Sequence, residues 1–501
     1  MKRNSMSSIQ KIAACHKFGV ALFTVGVLCL TMGSREINGQ TPTPTPTPAP
    51  TCNSTIVSQT PINELYGTYN PTSNYPPNIC PPGYTDSPCN SDYPCTGGLY
   101  IDKTTGNPSN QQPSGHLSDG IGYANSIAPI NGKIVLLSIG MCNAWLKFGN
   151  DDNSFISKLC NSGAAQSCSP GATGRDNSLN PNLVIVNGAQ AGADALEWQK
   201  DPSAPTGAWH DLLKIPNGIL DKAGVTPDQV QAIWCEHALI FDQPGCQSNC
   251  NTPLCTPFPD HANILRDAIE QTLRNIHSVF TNCKIVYISP RAYAYSTDFH
   301  NPEPKAYQTG FADKWVILDQ LNGLGNIGYK GPNRTSPWIA WGPYLWTDGT
   351  NARFDGLTWR CNSANPLLSD VRASGPMADF VHPSTYGVDK VARQLIAFFK
   401  TDPTAAPWFL GPNAQGSNIN ATIQGLPATV NITQNVTLTA SVTGNTGAVS
   451  YWWTYDDGES AFAQNPPKRK YPIPGTYTIH LTAIDSVGNH ALASGVLTVT
   501  P

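Results

Sequence analysis

Four short apolar runs constrain this chain more than any other feature. They are Lys133–Ser138 (KIVLLS), Asn182–Val186 (NLVIV), Val230–Cys235 (VQAIWC) and Lys284–Ser289 (KIVYIS). A strand with one solvated face alternates polar and apolar residues. Runs without clean alternation suit parallel strands covered on both faces. The segments between them have helical period. Asp260 is placed to cap a helix running to about Phe280, with Leu265, Ile269, Leu273, Ile276 and Phe280 along one side. A last helix, from about Tyr386 to Lys400, sets Val388, Val391, Ala392, Leu395, Ile396 and Phe399 at spacings of three and four. Strand and helix in alternation over residues 133–400 predict an α/β layered domain with a parallel sheet. Such sheets gather their chemistry at the carboxyl ends of the strands.

At 501 residues the chain exceeds what one hydrophobic core normally organises. Residues 1–39 read as a secretory signal: Lys2, Arg3, Lys11 and Lys17 precede an apolar stretch from Phe18 to Met32, with cleavage expected between Ser34 and Gln40. The alternative is a retained anchor, for which the stretch is short. Residues 40–51 contain TPTPTPTPAP, an extended spacer. Residues 52–130, rich in Pro, Gly, Asn, Ser and Tyr, are expected to be irregular and held by disulfides. Residues 131–410 hold the α/β domain. Residues 411–501 change character, with Thr and Val alternating over Val430–Val442 and Tyr477–Ile484, and predict a small β-sandwich hinged at Gly411–Asn420. The expected location is secreted or cell-surface, with no stable membrane insertion once the signal is removed.

Charge excludes one class of partner. The net charge is -4, and no basic face is concentrated enough for a nucleic-acid binder. Thirteen cysteines follow the signal, and in an exported chain most should be paired. An odd number leaves at least one unpaired or bonded to another molecule. Cys246, Cys250 and Cys255 lie in QPGCQSNCNTPLC, where stapled loops explain the spacing better than zinc.

The strand ends supply the candidate chemistry. After the first run come Gly140, Met141, Cys142 and Asn143. Glycine permits a sharp turn, which makes Cys142 a candidate nucleophile; the alternatives are a small buried residue or a disulfide member. Asn187–Gly192 (NGAQAG) follows the second run, and Glu236 and His237 follow the third. Asp379 stands three residues before His382, close enough to hold the imidazole's tautomer, or else simply to cap the next helix. Trp338, Trp341, Trp346 and Trp359 crowd a turn-rich segment with Asp348, Arg353 and Asp355. This cluster is either a platform for a sugar ring or the mini-core of a long loop. Ser138 sits inside a strand, and Ser384 follows His382 too closely, so neither suits a nucleophile.

These blocks resemble the SGNH/GDSL-type hydrolases, esterases and lipases with a Ser, Asp and His triad. DFVHPS (Asp379–Ser384) is similar to that family's final Asp-x-x-His block, KIVLLSIGMCN to its first and NGAQAG to its second. The resemblance covers roughly residues 130–402 and implies a three-layer, flavodoxin-like domain. It places Cys142 at the nucleophilic serine's position, with Asp379 and His382 as catalytic partners. The oxyanion donors would be Cys142, Gly192 and His237, the last standing in for an absent block-three asparagine. The C-terminal WTYDDG and YPIPGTYTIHLTAID resemble a PKD domain, an immunoglobulin-like sandwich. PKD modules often accompany polymer-degrading domains.

The expected function is thus a secreted ester hydrolase that deacylates, for instance deacetylates, a glycan through Cys142, His382 and Asp379. The expected partner is an extracellular polysaccharide or acylated glycan, contacted by Trp341, Trp346, Asp355 and Trp359. Triad chemistry calls for no cofactor and no metal. The alternative is an inactive hydrolase-like protein that binds carbohydrate or mediates cell-surface adhesion. The sequence leaves the oligomeric state open.

Overall fold

The computed structural model describes residue 52 and residues 58–69, 93–239, 258–295, 303–374, 378–413 and 415–501. The expected signal and spacer and residues 246–255 lie outside the described residues.

The first domain contains, in chain order, α1 (Ser114–Asn125), β1 (Ile134–Gly140), α2 (Cys142–Phe148), β2 (Leu183–Asn187) and β3 (Val230–Glu236). It continues with α3 (Asp260–Val279), β4 (Ile285–Ile288), α4 (Lys305–Asn322), β5 (Trp338–Trp341) and α5 (Thr385–Thr401). The five strands are parallel neighbours in the order β2-β1-β3-β4-β5, and a two-residue antiparallel strand, Ser167–Cys168, borders β2. Every residue of these five strands is buried, so both faces of the mixed sheet are covered. That burial is why the runs do not alternate. Helix α2 packs on α5, and α3 on α4.

All four expected strands form, each within two residues of its expected limits at either end. The fifth, Trp338–Trp341, falls where an aromatic loop was expected. Helix α4 shows no stripe in sequence because all but three of its residues are buried. Asp260 is the first residue of α3 rather than its cap; Pro259 holds the cap position and makes no side-chain bond.

The segment before β1, expected to be irregular, includes helix α1. Helix α1 lies against β5: the Trp338 indole N–H donates to the His116 carbonyl at 3.1 Å, and a Cβ on Gly120 would meet that indole at 2.3 Å. Ile62, Tyr69 and Leu99 belong to the main core. The Cys52–Cys361 disulfide joins this segment to the loop after β5.

The second core contains residues between Val430 and Val499. Its strands are β6 (Asn420–Gln424), β7 (Thr429–Asn431), β8 (Thr439–Thr443), β9 (Val449–Thr454), β10 (Ser460–Ala461), β11 (Gly475–Asp485) and β12 (His490–Thr500). They form a five-stranded sheet, β7-β12-β11-β9-β10, and the pair β8-β6. The expected hinge is pinned at its start, where the Gly411 N–H donates to the Ser178 carbonyl at 2.8 Å and Asn413 exchanges two hydrogen bonds with His490.

Among the described residues no helix is long and apolar enough to cross a membrane.

Candidate functional site

Five segments meet at the carboxyl end of the sheet. Gly140 ends β1, at φ +151, and a Cβ there would lie 2.4 Å from the Glu236 carbonyl oxygen on β3. Only glycine lets these strands approach while the chain turns into α2. Met141 packs against Ala238 beyond the end of β3. The Gly192 N–H, after β2, points at the Cys142 sulfur at 3.2 Å. The Asn143 amide donates to the Val381 carbonyl at 3.5 Å, which brings the Asp379–His382 turn to the start of α2. The β4 exit loop supports that turn: Tyr295 N–H donates to the Phe380 carbonyl at 2.9 Å, and Ala294 packs on Val381.

The turn itself is tight. Phe380 adopts φ +60, a left-handed conformation uncommon for a bulky residue. It folds the Asp379 carboxylate back over the following backbone. Oδ1 accepts from Val381 N–H at 3.0 Å and His382 N–H at 2.8 Å, while Oδ2 lies 2.6 Å from His382 Nδ1. Burial would raise the Asp379 carboxyl, but the imidazole and the two backbone donors outweigh it and hold the acid well below the usual carboxylate range. An ionised carboxylate only accepts, so Nδ1 carries a proton; in the neutral ring Nε2 is then the acceptor. That is the orientation a general base needs.

Cys142 is brought to this site, but not as a thiol. Its sulfur is held in a disulfide. A disulfide sulfur has no thiolate with which to attack a carbonyl, so the nucleophilic role expected for Cys142 does not hold in this oxidised state. The thiol state and the disulfide state look the same in sequence.

His237 is buried, and neither ring nitrogen has a hydrogen-bond partner among the described residues. Burial lowers its pKa to about 4, so the ring is neutral at pH 7. Its neighbour Glu236 pairs with Lys147 on α2 at 2.7 Å and lies 3.9 Å from Arg291. Lys147 and Arg291 escape a reading of the sequence because each is a single charge in an apolar setting. The signal was that setting itself, since a charge there requires a partner.

The four residues expected to bind a sugar are elsewhere engaged. Trp341, Trp346 and Trp359 are buried, and their indole N–H groups donate to the Leu99 carbonyl, Glu303 Oε1 and the Leu345 carbonyl at 2.9, 2.8 and 2.8 Å. The Asp355 side chain is 2% exposed and pairs with Arg353 at 2.7 Å. These rings are neither an open platform nor a separate mini-core of a loop: they belong to the main core, and packing there uses up the ring faces. Ser138 Oγ is buried and bonded to Asn187, and Ser384 caps α5, so neither competes as nucleophile. Among the described residues no three His, Cys, Asp or Glu side chains group as a metal-ligand set.

The fold defines an α/β domain with an Asp–His pair at the carboxyl end of its sheet, followed by a β-sandwich. Residues 420–500 match the PKD domain family, and this region is a PKD-like β-sandwich domain. It is similar to the PKD1 domain of the Vibrio cholerae metalloprotease PrtV, with 20% identity over 17% of this chain and 98% of that one, at a TM-score of 0.15. The chain is also similar to an extracellular lipase from Streptomyces rimosus, with 10% identity over 53% of this chain and 99% of the lipase, at a TM-score of 0.23. A nucleoside hydrolase-related protein from Saccharophagus degradans is 9% identical over 74% of this chain and all of that one, at a TM-score of 0.16. No curated protein matches the chain.

Proposed function

We propose that residues 131–410 are a three-layer, flavodoxin-like domain of SGNH/GDSL type on an exported chain. In its oxidised form the domain binds an acyl ester without turning it over through Cys142. The disulfide at Cys142 carries this reading, because the position of the nucleophile is filled while its surroundings are kept. The strand order along the chain, 2-1-3-4-5, supports the flavodoxin-like arrangement. The Gly192 N–H and the Asp379–His382 pair support an acyl carbonyl as the recognised group. An acylated extracellular glycan is the proposed ligand, on the strength of the appended PKD domain. It would be held by groups other than Trp341, Trp346, Trp359 and Asp355.

A second reading is a cysteine ester hydrolase awakened by reduction, and the same Asp379–His382 geometry favours it. Nε2 of His382 would take the proton from Sγ–H, and the thiolate would attack the ester carbonyl. The N–H groups of Cys142 and Gly192 would hold the oxyanion. Collapse would expel the alcohol, protonated by His382, and leave an acyl-enzyme. Water deprotonated by His382 would then release the acid.

The test is turnover of p-nitrophenyl acetate and acetylated xylan by the purified protein, before and after mild reduction, beside Cys142→Ala. Glycan binding without turnover in the oxidised protein is expected. Turnover by the oxidised protein overturns the first reading. Turnover that appears on reduction and vanishes in Cys142→Ala establishes the second.

A further inference from the structure

The PKD domain meets the rest of the chain across a buried charge cluster drawn from three regions. The turn Ile62–Glu64 supplies buried Asn63 and half-buried Glu64, the loop after β5 supplies Arg353 and Asp355, and the PKD domain supplies Asp457, Glu459 and Arg469. Arg353 pairs with Asp355 at 2.7 Å. Arg469 pairs with Asp457 and lies 3.2 Å from Glu459. Cross-links between regions are specific. Asn63 Nδ2 donates to Glu459 Oε1 at 3.1 Å and to the Asp457 carbonyl at 2.9 Å. Phe354 N–H donates to Glu64 Oε1 at 2.8 Å, and Ser460 N–H to Asp355 Oδ2 at 3.3 Å. The aromatic lining adds no charge at neutral pH: Tyr455 and Tyr471 face the Arg469 guanidinium at 3.9 and 4.5 Å, and Tyr344 faces Arg353 at 5.9 Å.

Four carboxyl groups thus share two guanidinium groups. With every acid ionised, the cluster would carry two uncompensated negative charges in a largely buried site where water screens them poorly, which is costly. We propose that the cluster is a proton-dependent latch, in which docking of the PKD domain keeps protons on the Glu64 and Glu459 carboxyls and their loss at alkaline pH releases the domain. Burial, then the nearby Glu459, pushes Glu64 up to about 9. Burial and Asp457 push Glu459 upward as well. Burial works to raise Asp355 too, but Arg353 outweighs it and holds that acid low.

In the released state these glutamates would titrate near the ordinary 4.3. Docking is then favoured most below that range, weakens as pH climbs towards about 9, and levels off above. Asp355 opposes docking only in stronger acid, so the optimum is mildly acidic. Each retained proton changes the docking constant about tenfold per pH unit in that window. At the far end of the interface Lys400 pairs with Asp176, and His480 lies beside Asp456. The test must therefore separate these groups from the glutamates.

Hydrogen exchange on the full-length protein reads the latch. The Ser460 amide bonds across the interface to Asp355, and the Tyr344 amide bonds to the Gly458 carbonyl at 3.0 Å. After correction for intrinsic exchange, their protection should fall about tenfold per pH unit for each retained proton between pH 6 and 8. Protection within β1 should not change. Glu64→Gln with Glu459→Gln should flatten the dependence while the domains stay docked. Interface protection that is independent of pH in the native chain, or a slope unchanged in the double variant, overturns the latch. If the double variant does not fold, the contrast in the native chain between the two interface amides and β1 decides alone, and no contrast overturns it.

Discussion

His382 Nδ1 lies 2.6 Å from Oδ2 of Asp379, and the same carboxylate accepts two backbone N–H groups of its own turn. One side chain thereby fixes both the loop and the imidazole. Asp379→Asn keeps an oxygen for the backbone but presents an N–H donor or a weaker acceptor to the ring. Nitrogen NMR should show the Nδ1–H tautomer of His382 in the native protein and its loss in the variant. If the reduced protein hydrolyses esters, the variant should lose on the order of 10⁴-fold in rate. An unchanged tautomer would remove Asp379 from the orienting role.

The same carboxylate makes stability depend on acid. Asp379 is held below its ordinary pKa, so its contribution is complete above the carboxylate range and is lost as pH falls through it. Denaturation of the native protein should show stability dropping below about pH 4. Asp379→Asn should be less stable at pH 7 and show a shallower acid dependence. Parallel curves for the two proteins would contradict this.

Cys235 and Cys283 are the free cysteines among the described residues, and both are buried. Burial pushes the Cys235 thiol well up and the Cys283 thiol up to about 12. Neither should react with an alkylating reagent at pH 8 until the protein is unfolded, since thiolate and access are both missing. Peptide mapping without reduction should recover Cys142 in a disulfide. Alkylated Cys142 from the native protein would restore it as a nucleophile.

Lys147 and Glu236 form an ion pair with side-chain exposures of 0% and 1%. Lys147→Met strands a buried carboxylate whose other cation, Arg291, is 3.9 Å away. The expected loss is about 3–5 kcal/mol in denaturant unfolding. A loss under about 1 kcal/mol would mean that the pair is already solvated.

Gly387 lies in the first turn of α5, where alanine ordinarily gains about 0.5–1 kcal/mol over glycine. Here a Cβ would stand 2.0 Å from the Asp370 carbonyl oxygen. Backbone cannot yield as a side chain does, so Gly387→Ala should destabilise by about 1–3 kcal/mol. A stabilised variant would show that the α5 N-terminus is freer than its contacts imply.

Much of this architecture was legible because its causes are local. Runs such as KIVLLS announce strands covered on both sides, and α3 and α5 show one apolar side each. Helix α4 escaped notice for the opposite reason: almost every one of its residues is buried, so no side contrasts with another. The strand Trp338–Trp341 is four residues long and reads equally well as part of an aromatic loop. Helix α1 is hidden by its glycines and serines, and its place is set by contact with Trp338.

What the sequence determined by itself was whatever neighbours along the chain decide: the alternation of strand and helix, the PKD signatures, and the Asp379–His382 turn, whose hydrogen bonds span three residues. The tertiary structure alone decided that the Cys142 sulfur is oxidised, that Trp346 and Trp359 pack inward, and that Glu64 meets Glu459. Each of these outcomes depends on groups far apart in the chain. Only the closing of a whole core, which removes water from all of them together, chooses which groups become partners.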